Sequence, residues 1–212
     1  IGTLNQQTIE GMKVAGAKAT EVGHPIVLDP VGAGASKLRT ETAGMLLDSY
    51  DVKVIRGNMS EMKALAGAAA ATRGVDANPD DAVTDDNLAE SAAFAKALAE
   101  KTGAVIAITG AIDIVADANT AYAIRNGVSI MGKITGTGCM LTCITAACAV
   151  ANPDNLLEAV VAAVAGMGVA GEIAAARMQP VDGNASLRTY IIDALFHMNA
   201  EALEAVARVE KV

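Results

Sequence analysis

The chain has 212 residues, a formal net charge of −8 and no block of basic residues. It therefore lacks the cationic surface that sequence-independent nucleic-acid binding requires, and no nucleic-acid partner is expected. Apolar residues make up 52% of the chain but aromatic residues only 2%, so the core must consist mainly of Ala, Val, Ile, Leu and Met, which suits helices packed closely on a parallel sheet.

Hydrophobic periodicity divides the chain into alternating strands and helices. After the end of a strand at 1–4, strands are predicted at 25–29, 52–55, 104–109, 113–116 and 121–124. Helices are predicted at 5–22, 40–50, 60–71, 88–102, 138–151, 155–177 and 186–208. This alternation is typical of an α/β fold with a mostly parallel central sheet and helices on both faces. Since neither an internal repeat nor a linker interrupts it, we expect one domain over residues 1–212.

The three cysteines, Cys139, Cys143 and Cys148, lie within ten residues of one another. An odd number on one predicted helix argues against a disulfide framework and for a reducing cytosol, so a cytoplasmic protein is expected. No further Cys and no His lies nearby to complete a zinc site. His24 and His197 have no neighbouring ligand either, and we interpret both as structural.

Two stretches, 134–153 and 159–171, are apolar enough to be considered as membrane-spanning helices. The first is broken by Gly, Thr and Pro, and the second is too short to cross a bilayer. Both are interpreted as core helices, so no membrane partner is expected. Glycines within the second stretch, Gly166, Gly168 and Gly171, indicate close helix packing.

The most informative stretch is 133–142, Lys-Ile-Thr-Gly-Thr-Gly-Cys-Met-Leu-Thr. Gly136 and Gly138 allow a tight turn and a close approach of the backbone to a ligand. An uncharged helix follows, and a glycine turn that leads into a helix N-terminus binds anions through its free N–H groups and the helix dipole. The Cys139 thiol lies where a thiolate would be stabilised.

Two common phosphate-binding motifs fail on their spacing. The segment 127–133 fits the start of a Walker A motif, but Ile134 takes the place of the Ser or Thr that would bind Mg²⁺. The segment 136–138 fails the dinucleotide-binding pattern because Leu141 stands where the third glycine belongs. Neither motif identifies the ligand.

Polar residues follow several predicted strands, and the carboxyl ends of parallel strands meet at one edge of a sheet. There, Asp29 and Glu61 are candidates to hold Mg²⁺ directly or through water, and Arg56 to neutralise phosphate oxygens. The amides of 136–139 are candidates to stabilise charge on a transferring group. In the structural alternative Asp29 caps a helix, Arg56 pairs with Glu61, and the glycines only shape turns.

Five motifs in this order resemble the hydroxyethylthiazole kinase family over essentially the whole chain. Arg-Gly-Asn-x-x-Glu and Thr-Gly-x-Gly-Cys form the specific pair. The matching segments are 27–34, 55–61, 74–76, 108–110 and 135–139. The resemblance implies a ribokinase-like fold, a homotrimer with sites between subunits, and ATP-dependent phosphorylation of hydroxyethylthiazole in thiamine synthesis.

The resemblance also implies a role for single residues. Arg56 and Thr109 would contact ATP, and Asp29 and Glu61 would organise Mg²⁺. Gly136 would touch the thiazole substrate, while Thr137, Gly138 and Cys139 would complete an anion hole with it.

Cys139 would also take the position of the catalytic base, which is Asp in most of the wider superfamily. A free thiol, with a pKa of about 8.5, is mostly protonated at neutral pH unless the helix terminus lowers that value. The loose transition state of phosphoryl transfer asks little of a base. We therefore expect a moderate contribution from this thiol.

Family members carry a further N-terminal section before the point equivalent to Ile1, which holds a strand and part of the substrate pocket. We therefore expect that the domain lacks this section here. Its absence would affect the thiazole contacts more than the ATP site. Two alternatives stay open: a kinase for hydroxymethylpyrimidine or another small alcohol, and a nucleotide-binding regulator without turnover.

Overall fold

The computed structural model describes residues 1–68 and 82–212. In this part of the chain six strands form one mixed sheet in which the spatial order equals the sequence order. The first three strands run parallel, and the last three are added antiparallel. The strands are β1 (Ile26–Leu28), β2 (Val52–Asn58), β3 (Val105–Thr109), β4 (Asp113–Ala116), β5 (Ala121–Ile124) and β6 (Val209–Lys211).

Helices cover both faces of this sheet, as predicted. They are α1 (Gln6–Val22), α2 (Lys37–Ser49), α3 (Met59–Ala68), α4 (Leu88–Thr102), α5 (Thr137–Ala151), α6 (Leu156–Arg177), α7 (Asn184–Phe196) and α8 (Ala200–Glu204). Alternate strand residues enter two separate cores: Ile55 and Ile106 pack in the core that includes α2, α3 and α4, and Val54 and Ala107 in the one that includes α5, α6 and α7. Side chains of a strand alternate between faces, so a strand buried on both is almost wholly apolar.

Local signals predicted several boundaries well. The Asn5 side chain accepts a hydrogen bond from the Thr8 amide at the start of α1, and Gly23 ends that helix in the left-handed region with φ 71°. The hairpin of β4 and β5 has the predicted bounds. Both cases depend on side chains a few residues apart in sequence.

Two predicted elements are wrong. Residues 1–4 form no strand: the Ile1 amino group donates one hydrogen bond to the Asp29 carbonyl at 3.1 Å, too little for a ladder. The predicted helix 186–208 is interrupted at 197–199, where the Asn199 side chain caps α8 by accepting from the Ala202 amide. The chain then returns to the sheet as β6, whose Val209 pairs with Ile124.

Part of one prediction lies outside the described residues. The helix predicted at 60–71 begins at Met59 and is described to Ala68. The motif segment 74–76 falls in the undescribed range. Within the failed Walker A match at 127–133, residues Ser129–Lys133 form a 3-10 turn and not the start of a long helix.

The helix α6 is longer than the apolar run 159–171 suggested. With 22 residues it is the one described helix that could cross a membrane by length and composition, and 67% of its most apolar window is buried inside the fold. It packs on β3, β4 and β5 and between α5 and α7. We therefore interpret it as a core helix, as predicted.

Candidate active site

Arg56 joins three elements at the carboxyl edge of the parallel strands. Its Nη1 donates to Asp29 Oδ2 at 3.1 Å, directly after β1, and its Nη2 donates to Thr109 Oγ1 at 2.9 Å, at the end of β3. Only 12% of the Arg56 side chain and 9% of the Asp29 side chain are exposed. The alternative in which Arg56 pairs with Glu61 is wrong, because Asp29 is its partner.

The first turn of α5 lies against this arginine. A Cβ atom added to Gly138 would lie 2.9 Å from Arg56 Nη1, so only glycine allows the observed approach. Thr142 Oγ1 lies 2.7 Å from Asp29 Oδ2 and 3.0 Å from the Gly138 carbonyl oxygen. Asp29 therefore binds side chains from β2 and α5 and, in the described part of the chain, caps no helix.

The turn before α5 has the geometry of an anion site. Gly136 precedes the helix with φ 105°, a conformation that favours glycine, and its carbonyl accepts from the Met140 amide at 2.9 Å. The amides of Thr137, Gly138 and Cys139 belong to the first turn, where a helix offers them no backbone acceptor. These groups and the Arg56 guanidinium make one electropositive corner.

Glu61 ties the loop after β1 to the junction of β2 and α3. Its Oε1 accepts from the Gly32 amide at 2.9 Å and its Oε2 from the Asn58 amide at 2.8 Å. The Asn58 side chain in turn accepts from the Glu61 amide at 2.8 Å. This reciprocal pair is a capping box that orients the Glu61 carboxylate.

The carboxylates at this edge fit a magnesium ion that keeps most of its own ligands. Among the described residues no three His, Cys, Asp or Glu side chains cluster as a protein cage would need. Asp29 Oδ1 is buried, and in the described part of the chain it has no hydrogen-bond partner. Mg²⁺ is commonly held by one or two carboxylates together with water and phosphate oxygens, which is what Asp29 and Glu61 offer.

A cavity of about 560 Å³ opens beside Arg56. One wall is the β3–β4 turn, and a second is the segment 126–132. The start of α5 and the middle of α6 complete it. Its volume lies in the range of small-molecule and cofactor sites.

The structure brings four of the predicted residues, Arg56, Thr109, Thr137 and Gly138, to the wall of this cavity. The other four, Asp29, Glu61, Gly136 and Cys139, lie outside its lining, and the Cys139 side chain is exposed. The predicted set therefore divides between four residues that line the cavity and four that lie outside its lining, of which Asp29 is buried.

Asp113 is a cavity residue that the sequence reasoning missed. It is the first residue of β4, and its Oδ1 accepts from the Gly110 amide at 2.8 Å. Burial raises the pKa of Asp113 to about 7, against the lowering effects of the Gly110 hydrogen bond and the Arg56 charge. The sequence signal that could have identified Asp113 is its position three residues after Gly110, the glycine that follows the buried strand β3.

The chain is similar to one family of known proteins. The model of the hydroxyethylthiazole kinase family matches residues 1–201. A hydroxyethylthiazole kinase of Clostridium acetobutylicum is 54% identical over 210 residues, which cover 99% of this chain and 77% of that protein. One from Desulfovibrio desulfuricans is 44% identical over 220 residues, with 100% and 77% covered.

Solved structures agree with these relatives. The structure of a hydroxyethylthiazole kinase protein from Pyrococcus horikoshii has a TM-score of 0.84 at 31% identity, and the match covers 100% of this chain and 74% of that one. A pyridoxal kinase from Staphylococcus aureus has a TM-score of 0.57 at 21% identity, which shows the fold alone. The predicted α/β fold of the ribokinase-like type is confirmed.

Proposed function

Because the chain belongs to the hydroxyethylthiazole kinase family, we propose that it transfers the γ-phosphoryl group of ATP to the hydroxyl of 5-(2-hydroxyethyl)-4-methylthiazole in thiamine biosynthesis or salvage. One observation supports this most: Arg56, fixed by Asp29 and Thr109, lies against the N-terminal turn of α5 beside a cavity of nucleotide size. Phosphoryl transfer needs this combination of positioning and positive charge.

ATP is assigned to the cavity, with its phosphates toward Arg56 and Thr109. Both residues line the cavity, and the Arg56 guanidinium is the charged donor that suits phosphate oxygens. The anion hole comprises Gly136, Thr137, Gly138 and Cys139, whose amides would stabilise the charge on the transferring group. Gly136 would contact the thiazole, since it precedes α5 outside the cavity lining and a Cβ atom added there meets no described atom within 4 Å.

Magnesium is the proposed metal, held by Asp29 and Glu61 through water and phosphate oxygens. When bound, it would neutralise the charge that builds up on the phosphates. Asp29 Oδ1, which has no hydrogen-bond partner among the described residues, supports this assignment. Glu61 would act with both oxygens already oriented by backbone amides.

Cys139 is the proposed base for the acceptor hydroxyl. Its thiol is exposed on the first turn of α5, next to Gly138, where an incoming alcohol reaches it from solvent. The alcohol would then attack the phosphoryl group held by Arg56.

The proposed assembly is a cytoplasmic homotrimer with sites between subunits. Support comes from large apolar side chains exposed on α5 and α7, such as Val150, Ile192 and Phe196. Sedimentation velocity of the full-length protein would give three times the chain mass. A monomer would contradict the trimer and would not affect the kinase assignment.

The substrate is tested with the full-length protein, Mg²⁺ and ATP against three alcohols. The expected result is phosphorylated hydroxyethylthiazole in excess over phosphorylated hydroxymethylpyrimidine or ribose. Product from hydroxymethylpyrimidine alone would transfer the assignment to that alternative kinase. ATP binding without any phosphorylated product would favour the non-catalytic regulator.

A further inference from the structure

The helix α6 bears a short segment, Gly168-Val-Ala-Gly-Glu172, that is not explained by helix packing. A Cβ atom at Gly168 would lie 2.7 Å from backbone and side-chain atoms of Asn126, and one at Gly171 would overlap Met131. The close packing predicted for these two glycines is therefore with the segment 126–131, which we call the wall turn. Gly127 and Met131 of this turn line the cavity.

Glu172 fixes the wall turn on α6. Its Oε1 accepts from the Gly127 amide at 2.7 Å, and both of its oxygens lie 3.4 Å from Asn126 Nδ2. Gly127 has φ 118°, so the backbone at this point has a conformation that residues other than glycine rarely adopt. A single carboxylate thus holds two consecutive residues of the cavity wall.

The segment that leads into β6 closes the same cluster. The Arg208 guanidinium donates to both Glu172 oxygens and to the Arg125 carbonyl, and the Arg208 amide donates to Asn126 Oδ1 at 2.6 Å. Asn126 Nδ2 also donates to the Val206 carbonyl at 3.0 Å. Because these contacts engage both Nδ2 and Oδ1 of Asn126, we assign this side chain to holding the wall turn.

The charge of Glu172 matches its surroundings. Partial burial alone would raise its pKa, but the hydrogen bonds from Arg208, Gly127 and Asn126 outweigh burial and lower the pKa below its ordinary value. The carboxylate is therefore ionised at neutral pH, and its hydrogen bonds are of the stronger, charge-assisted kind.

We propose that Glu172 is a positioning residue for nucleotide binding, which sets the wall turn in the conformation that receives ATP and which Arg208 holds in place. It acts through Gly127 and Asn126 and does not touch the reacting atoms. This inference rests on the proposed function, since it assigns ATP to the cavity. It adds that Arg208, just before β6, influences ATP affinity from the far end of the chain.

The test measures MgATP binding by calorimetry and steady-state kinetics on the full-length protein. Glu172→Ala should raise the dissociation constant and KM for ATP about tenfold, as the loss of one hydrogen bond to a charged group implies, with kcat at saturating ATP unchanged. Glu172→Gln retains an acceptor for the Gly127 amide and should recover part of the affinity. Arg208→Ala should have an intermediate effect.

The matched control is Glu210→Gln on β6, two residues after Arg208. Glu210 pairs with the Arg125 side chain at 2.8 Å and, within the described residues, its side chain makes no hydrogen bond to the wall turn, so its loss should leave ATP affinity unchanged. If Glu172 is needed only for folding, part of the Glu172→Ala protein will be unfolded. The measured binding stoichiometry will then fall, while the dissociation constant of the folded fraction stays unchanged. That result overturns the inference. If Glu172→Ala does not fold, the variants Glu172→Gln and Arg208→Ala, each measured on its own, decide the same question.

ATP binding by the unaltered protein separates the proposed function from the positioning role of Glu172. If the unaltered protein binds no ATP, the proposed function fails and this inference with it. If the unaltered protein binds ATP and the three cluster variants bind it equally well, only the positioning role of Glu172 is wrong.

Discussion

At the scale of single residues, the site depends on how Arg56 is held. Two acceptors on different strands, Asp29 and Thr109, take separate nitrogens of one planar guanidinium. The group is thereby fixed before a phosphate arrives, and little side-chain entropy is lost on binding. A lysine offers a single point charge on a flexible stem and would not bridge both partners in the same way.

Cys139→Ala should lower kcat by less than about 100-fold, because general bases contribute about that much or more and a loose transition state needs less from them. ATP affinity should stay nearly unchanged, since the Cys139 side chain lies outside the cavity lining. The control is Cys143→Ala, one turn further along α5 and also exposed, which should retain full turnover. Loss of ATP binding in Cys139→Ala would show that the thiol is structural.

Asp113→Asn should stabilise the protein more at pH 8 than at pH 5. In the folded state the pKa of Asp113 is raised from 3.8 to about 7, so between these values the folded chain retains a proton that the unfolded chain has lost. The Asp113 contribution to the free energy of unfolding therefore falls as pH rises through this window and is constant above it. Asparagine has no such titration.

Urea unfolding at both pH values measures the effect. The free energy of unfolding of Asp113→Asn relative to the unaltered protein should increase by about 2–3 kcal/mol from pH 5 to pH 8. Asp113→Ala should show the same change with pH and, in addition, a constant loss from the missing acceptor for the Gly110 amide. Equal differences at the two pH values would mean that the carboxyl titrates normally.

At the scale of elements, the start of α5 is the critical contact. Gly138→Ala should lower ATP affinity about tenfold and the free energy of unfolding by about 1–3 kcal/mol, because the added methyl group displaces the Arg56 guanidinium. Helix propensity alone would favour alanine, so a loss must come from crowding. Titration calorimetry and urea unfolding measure the two effects.

A second glycine serves as the control for this substitution. Gly67 lies within α3, and a Cβ atom there meets no atom of the described residues within 4 Å. Gly67→Ala should therefore stabilise the protein by about 0.5–1 kcal/mol and leave ATP affinity unchanged. Full ATP affinity in Gly138→Ala would contradict the close approach of α5 to Arg56.

Elements with local signals were predicted well, and those that depend on distant partners were not. Helix α1 carries its own caps, and α4 has the predicted bounds 88–102. The break after Phe196 was missed because apolar residues continue through 186–208, although Asn199 is a local cap there. The strand β6 was missed because it depends on pairing with β5, some 85 residues earlier in the chain. The contact of Gly168 with Asn126 was missed for the same reason.

At the scale of the whole molecule, strand order explains why part of the site could be predicted. Strands β1, β2 and β3 are parallel neighbours, so residues at their carboxyl ends meet at one edge, and Asp29, Arg56 and Thr109 follow from sequence position alone. The residues of the cavity wall could not be predicted from strand order in this way. Asp113 and the wall turn reach the cavity through the antiparallel half of the sheet, whose register the sequence did not reveal.

The central claim is that the γ-phosphoryl group of ATP and the acceptor hydroxyl meet between Arg56 and the first turn of α5. The most direct measurement is a crystal structure of the full-length protein with Mg²⁺, a non-hydrolysable ATP analogue and hydroxyethylthiazole. The terminal phosphate should lie within hydrogen-bond distance of Arg56 and of the amides of Gly138 and Cys139, with the substrate hydroxyl beside the Cys139 thiol. A terminal phosphate bound away from Arg56 and this turn would contradict the claim.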